Sequence, residues 1–229
     1  MRMDWPIGQL QLGWFAWLCL LFCAVFLPIH SALASDAGEI VSVVGTVEVM
    51  RENHWQRIET GETLRVGEAI KTADGSRIAM QLANGAQLKM NANSQMELKQ
   101  IVPRKEGLTP ASTSSLRNIL RLLGGEVWMN SNGLPLEIET IPVTATIRGT
   151  EFNLAVGPGE VARLAVLEGR VEFHNAQGSV QVAAHEQATA RRGEAPRKGI
   201  LLDPLDAVQW SLYYPELPAA GAAGGGRTD

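Results

Sequence analysis

Metal binding and acid–base catalysis need side chains that can converge, and this sequence offers few of them. Beyond residue 34 there are three histidines, His54, His174 and His185, none at i,i+4 spacing and none beside a second ligand-rich cluster. They read as solvated histidines, and no metal site is expected. Cys19 and Cys23 both fall within an N-terminal apolar run, so no thiolate nucleophile, disulfide or thiolate metal site is expected downstream. Carboxylate pairs exist, Glu137 with Glu139 and Glu160 with Glu168. Spacing of two places the first pair on one face of a strand, and a solvated sheet face explains it more simply than a hydrolytic cleft. Gly157-Pro158-Gly159-Glu160-Val161-Ala162 formally matches GxGxxA, yet an alternating strand follows where a dinucleotide site needs a helix, so it reads as a hairpin turn. Trp55, Trp128, Trp210, Tyr213 and Tyr214 could stack on sugar rings, although aromatic residues more often anchor cores. No GxSxG or HExxH motif is present. The chain is therefore read as a non-enzyme with no catalytic residue, cofactor or metal.

The elements that would hold these residues begin after a targeting segment. Leu12 to Leu27 are sixteen uncharged, almost wholly apolar residues, Pro28 ends the run, and Ala32-Leu33-Ala34 supplies a small-x-small cleavage site. A membrane-spanning helix needs about 20 apolar residues, so residues 1–34 read as a signal peptide cleaved after Ala34, with no span afterwards. The expected location is periplasmic or secreted. Residues 35–229 could bury roughly 70% of their unfolded surface, enough for one domain held by its core alone. With 20 basic against 24 acidic residues and a net charge of −4, no basic stripe for nucleic acid is expected.

From Glu39 to Arg191 apolar residues alternate with polar ones. Val47/Val49, Ile78/Met80/Leu82, Leu88/Met90, Met96/Leu98, Leu136/Ile138, Phe152/Leu154/Val156, Leu164/Val166, Val171/Phe173 and Val180/Val182 each predict a strand with one buried and one wet face. Asp74-Gly75 and Asn84-Gly85 suit tight hairpins. The prediction is an all-β, antiparallel-rich domain over 35–200, a roll or solenoid-like fold or a sandwich. Residues 103–115, with two prolines and a Ser/Thr cluster, read as a mobile loop, and Leu116–Leu123 as a strand running into Gly124-Gly125.

Gly45-Thr46-Val47-Glu48-Val49 resembles Gly169-Arg170-Val171-Glu172-Phe173, and Gly125-Glu126-Val127-Trp128-Met129 is a third copy of the core. Residues 201–218 predict one short C-terminal helical segment. Asp203 caps it, Pro204 opens it, Leu205, Val208 and Leu212 form its apolar stripe, and Pro215 stops it. This segment is expected to cap the sheet or dock on a partner, with Trp210, Tyr213 and Tyr214 as its contact residues. Residues 219–229 read as a disordered tail.

Pro142–Leu154 (PVTATIRGTEFNL) is the most specific run, and it resembles the hallmark of the FecR domain family. Arg148, Gly149, Thr150 and Phe152 match its Arg-Gly-Thr-x-Phe core, while the lead-in Ile141-Pro142-Val143 departs from the usual order. Gly45-Thr46-Val47 ahead of Trp55, Gly61–Thr72, Asn84-Gly85 and Leu167–Val171 fall in the family's register, so the similarity covers about Gly38 to Ala190. Read from the residues alone, Gly149 permits a bulge or close backbone approach, and Phe152 is a core knob. Arg148 suits a buried tie to strand carbonyls or Glu168, or a ligand contact.

The resemblance implies a periplasmic sensor or regulator. Founding members of the family relay signals from outer-membrane ferric-siderophore receptors to extracytoplasmic sigma factors, through a cytoplasmic anti-sigma segment, one span and a periplasmic domain. Only eleven residues precede the apolar run here, so a stand-alone exported domain without that segment is expected. The function expected is an adaptor or sensor binding an envelope protein. The alternative is a carbohydrate- or peptidoglycan-binding module.

Overall fold

The computed structural model describes residues 35–103, 117–201 and 203–212. The expected signal segment, the loop beyond Pro103, Tyr213, Tyr214 and the C-terminal tail lie outside the described residues. Among those described, period-two alternation becomes seventeen strands. The first eight are β1 (Asp36–Val44), β2 (Val47–Arg51), β3 (His54–Arg57), β4 (Thr63–Arg65), β5 (Ala69–Thr72), β6 (Arg77–Leu82), β7 (Gln87–Met90) and β8 (Gln95–Gln100). A long strand, β9 (Ile119–Asn130), comes next. The last eight are β10 (Pro135–Glu139), β11 (Thr144–Arg148), β12 (Glu151–Gly157), β13 (Val161–Glu168), β14 (Arg170–Asn175), β15 (Gly178–Ala183), β16 (Glu186–Ala190) and β17 (Arg197–Ile200).

These strands form two layers that share β9. The first layer runs β4-β1-β6-β7-β9-β12-β13-β16-β17. The second runs β3-β2-β5-β8-β9-β10-β11-β14-β15. β9 is therefore the middle strand of both. Its N-terminal half lies between β8 and β10, and its C-terminal half, from Gly125 on, lies between β7 and β12. Among the described residues only the β9–β10 pairing is parallel. The all-β expectation holds, and of the candidate architectures the two layers make a roll with a sandwich-like core.

Alternation aims one face of each layer inward, and the inward residues of both make one core. Phe152, Leu154, Met80, Leu88 and Met129 meet Ile70, Met96, Leu120, Ile138 and Phe173 there, all fully buried. Burying one such large side chain contributes about 1.5–3 kcal/mol. Leu116–Leu123 was expected as strand, and Ile119 onward is.

The three repeated segments mark places where the chain changes layers. Gly45 leads from β1 to β2, Gly125 sits inside β9 at its crossing, and Gly169 leads from β13 to β14. Gly125 has φ +91°, and a β-carbon there would overlap Ser94, the last residue of the turn from β7 to β8. Gly45 stands in the same relation to Ser76, the last residue of the turn from β5 to β6. In both corners a serine hydroxyl accepts the amide that follows the glycine, Thr46 N at 2.8 Å from Ser76 Oγ and Glu126 N at 2.9 Å from Ser94 Oγ. The repeat in sequence is thus a repeat of corner geometry.

The expected short C-terminal helix is present, and is shorter than its apolar stripe predicts. Asp203 does cap it, accepting the Leu205 and Asp206 amides at 3.0 and 3.4 Å through Oδ1. Turns then follow, and among the described residues only α1 (Gln209–Leu212) is α-helical. Of the expected apolar stripe only Val208 is buried, while Leu205 and Leu212 are exposed. Four residues are too few to hold a helix by propensity, so contacts with the sheet decide its shape. No helix among the described residues is long and apolar enough to cross a membrane.

Candidate functional site

Arg148, Gly149 and Thr150 form the corner between β11 in the second layer and β12 in the first. Gly149 adopts φ +63°. Thr150 is buried: its amide donates to Ser131 Oγ at 2.9 Å, and its methyl carbon faces Gly169. Its hydroxyl has no hydrogen-bond partner among the described residues. Two residues on, Phe152 is wholly buried in the core, as expected. Arg148 corrects the expectation of a buried tie, because it is exposed and makes no side-chain hydrogen bond or ion pair among the described residues. Glu168 is exposed as well, and pairs in register with Glu151 rather than with Arg148. The physical reason is the corner itself. Its left-handed glycine turns the chain inward at Thr150, which leaves the residue just before the turn pointing to solvent.

A second group lies on the outer face of the first layer and was not foreseen. Cross-strand pairing lines up Ala79, Lys89, Trp128, Asn153 and Ala165 in one row over β6, β7, β9, β12 and β13. Their neighbours along each strand point into the core, so these residues point away from it. Even so, Ala79 is 0%, Lys89 9%, Asn153 5% and Ala165 8% exposed. The C-terminal segment makes directional contacts to this row. Lys89 Nζ donates to Ser211 O at 2.9 Å, and Trp210 Nε1 donates to Asn153 Oδ1 at 3.1 Å. Of the expected contact residues in this segment, Trp210 thus binds the sheet of its own chain, and Tyr213 and Tyr214 lie outside the described residues.

The sheet holds the polar members of this row in place. Asn153 Nδ2 donates to Glu126 Oε1 at 2.9 Å, which aims its Oδ1 at Trp210. Glu126 Oε2 accepts Asn91 Nδ2 at 2.8 Å. Trp128 Nε1 donates to Glu151 Oε1 at 3.0 Å, and the Lys89 ammonium sits 5.0 Å from the Trp128 ring centre. Burial pushes the Lys89 amine below its usual range, with Glu151 opposing. Alternation predicts Lys89 on a wet face. Two outward alanines over a layer followed by a tryptophan-bearing segment were the available signal that something covers it.

The outer face of the second layer carries ion pairs. Glu139 accepts Lys99 Nζ at 2.8 Å and Arg121 Nη2 at 3.0 Å, and Arg121 also reaches Glu97 at 3.6 Å. The Lys99 ammonium, then Arg121, hold the Glu139 carboxyl below the usual glutamate range, with burial opposing. Glu137 lies on the same strand face, without their company. A shallow cleft of about 390 Å³ adjoins, lined by Arg121, Leu123, Glu139, Ile141 and Thr144. His174 Nε2 lies 3.3 Å from Thr146 Oγ1, and no group of three metal-ligating side chains occurs among the described residues. Trp55 lies apart from the other two described indoles. Trp55 stacks under Lys71 at 4.2 Å in the second layer, while Trp128 and Trp210 are hydrogen-bonded in the first.

Comparison with known proteins places this fold. Two crystal structures of a candidate anti-sigma factor from Parabacteroides distasonis resemble it, each with a TM-score of 0.50 and 18% identity over 62% of this chain. The similarity spans 64% and 63% of those chains, under two thirds of their length, and at this identity it speaks to the fold alone. No curated protein matches the sequence. Residues 68–172 match the family model described as FecR protein, a stretch that contains β9, the Arg148-Gly149-Thr150 corner and the row from Ala79 to Ala165. The likeness to the FecR family is thus established over residues 68–172.

Proposed function

We propose that this protein is a non-enzymatic adaptor or sensor of the bacterial envelope, exported by its N-terminal segment and binding a protein partner in signalling or regulation. The observation that carries the reading is the FecR motif corner. Within it Phe152 and Thr150 serve the fold, while Arg148 projects to solvent with no partner of its own among the described residues. A guanidinium offers five donors and a permanent charge, well suited to an acidic or carbonyl-rich protein surface. The indole faces already met by a cation, Trp55 by Lys71 and Trp128 by Lys89, favour a protein partner over a glycan, since sugar recognition by stacking needs accessible aromatic faces.

The test is a crosslinking pull-down from envelope extract with the full-length protein and an Arg148→Ala variant of matched Tm. One protein enriched by the unmodified chain and lost with the variant supports the reading. Glycan alone, or no enrichment, overturns it in favour of the carbohydrate-binding module.

A further inference from the structure

The row Ala79–Lys89–Trp128–Asn153–Ala165 and the segment over it have unequal claims to permanence. The receiving side is organised without the segment, because Glu126 orients Asn153 and Glu151 holds Trp128, all on neighbouring strands of one sheet. Its outward alanines leave a trough beside the larger groups, and its two directional groups, a carboxamide oxygen and an ammonium, are aimed at a hydrogen-bond donor and an acceptor. Such a preorganised surface loses little conformational freedom when it is filled.

The covering side is built loosely. Residues 203–212 contain one four-residue turn of helix, bury only Val208 and Ser211 fully, and leave Leu205 65% and Leu212 61% exposed. Segments with few buried apolar contacts open at much lower free energy than core strands.

We propose that this trough is a peptide-recognition site, filled in cis by the chain's own residues 203–212, which takes from a partner protein a helical turn presenting an indole N–H to Asn153 and a main-chain carbonyl to Lys89. The cis segment then lowers the partner's apparent affinity by the fraction of time the trough is closed. This deepens the adaptor reading and rests on it for the existence of a partner; the trough itself is tested without one.

The probe is a fluorescent peptide with the sequence of residues 203–212, added to the full-length protein. Trp210→Ala should weaken the cis segment, and this variant is expected to bind the peptide at least tenfold more tightly than the unmodified chain. Adding Asn153→Ala should abolish that gain. Hydrogen exchange on the unmodified chain supplies a readout free of variants, with the amides of 207–212 expected to exchange at least a hundredfold faster than those of β9. Equal protection of the two, or a folded Trp210→Ala chain that binds the peptide no better, would make the segment a fixed part of the fold and end the proposal. A dimer of the unmodified protein that Trp210→Ala dissolves would assign the trough to a second copy instead. An empty pull-down with tight peptide binding would sink the adaptor reading while sparing the site.

Discussion

Ser94 and Gly125 meet where β9 passes from one layer to the other. The serine hydroxyl accepts the Glu126 amide at 2.9 Å and occupies the space that any β-carbon on residue 125 would need. Gly124, its neighbour, has open space around it. Gly125→Ala therefore combines a left-handed backbone with a clash, a cost of about 2–5 kcal/mol. In a domain of this size that is a fall in Tm of roughly 5–15 °C. Gly124→Ala should leave Tm unchanged or raise it slightly. Thermal unfolding of the pair checks this, and equal effects would count against the corner's role.

The serines of the two equivalent corners should matter for their oxygen. Ser94→Ala and Ser76→Ala each leave a corner amide without its acceptor, at about 1–3 kcal/mol per site. Urea unfolding is expected to show similar losses for the two. Ser179, exposed in β15, serves as the control that changes nothing when replaced by alanine.

Within the family motif, fold and surface should separate cleanly. Phe152→Ala removes a wholly buried ring and is expected to cost about 3–5 kcal/mol. Arg148→Ala should fall within about 0.5 kcal/mol of the unmodified protein, as exposed substitutions do. A large loss for Arg148→Ala would place that side chain in the fold.

Acid sensitivity should trace in part to Glu139. Its folded-state carboxyl binds a proton more weakly than in the unfolded chain, because Lys99 and then Arg121 favour the charged form. It therefore contributes stability that is present above the ordinary glutamate range, about pH 4.3, and lost as pH falls through its lowered folded value. Glu186, held low chiefly by the Ala183 amide, acts in the same direction and is common to both proteins compared. Urea midpoints of the unmodified protein and Glu139→Gln should differ most near neutrality and converge in acid. Curves that stay parallel would show that this carboxylate carries no such linkage.

Strand positions were legible because period two is a local property of the chain. Phe152 in the core and the Asn84-Gly85 turn between β6 and β7 followed directly from it. Which layer a strand joins is not local. Gly45, Gly125 and Gly169 were visible as a repeat, but only pairing over distances such as Ser94 to Glu126 reveals them as crossings. Arg148 was misjudged for the same reason, since residue type does not say which way a corner turns. Lys89 lay on the face that alternation calls wet, and its burial depends on residues more than a hundred positions away. The short C-terminal helix was legible but its length was not, because Leu205 and Leu212 repeat at helical spacing, yet the sheet accepts only Val208 between them.

The sharing of β9 also sets an order of assembly. Its partners on one side, β7 and β8, are synthesised before it, and those on the other, β10 and β12, come after. As the chain emerges from its N-terminus, the half made first presents two open edges that β9 alone can cover, and β9 then presents two of its own. Closure must wait for residue 157, where β12 ends. Until then the nascent protein is a template for pairing with other chains, so a holding chaperone would matter most during that interval.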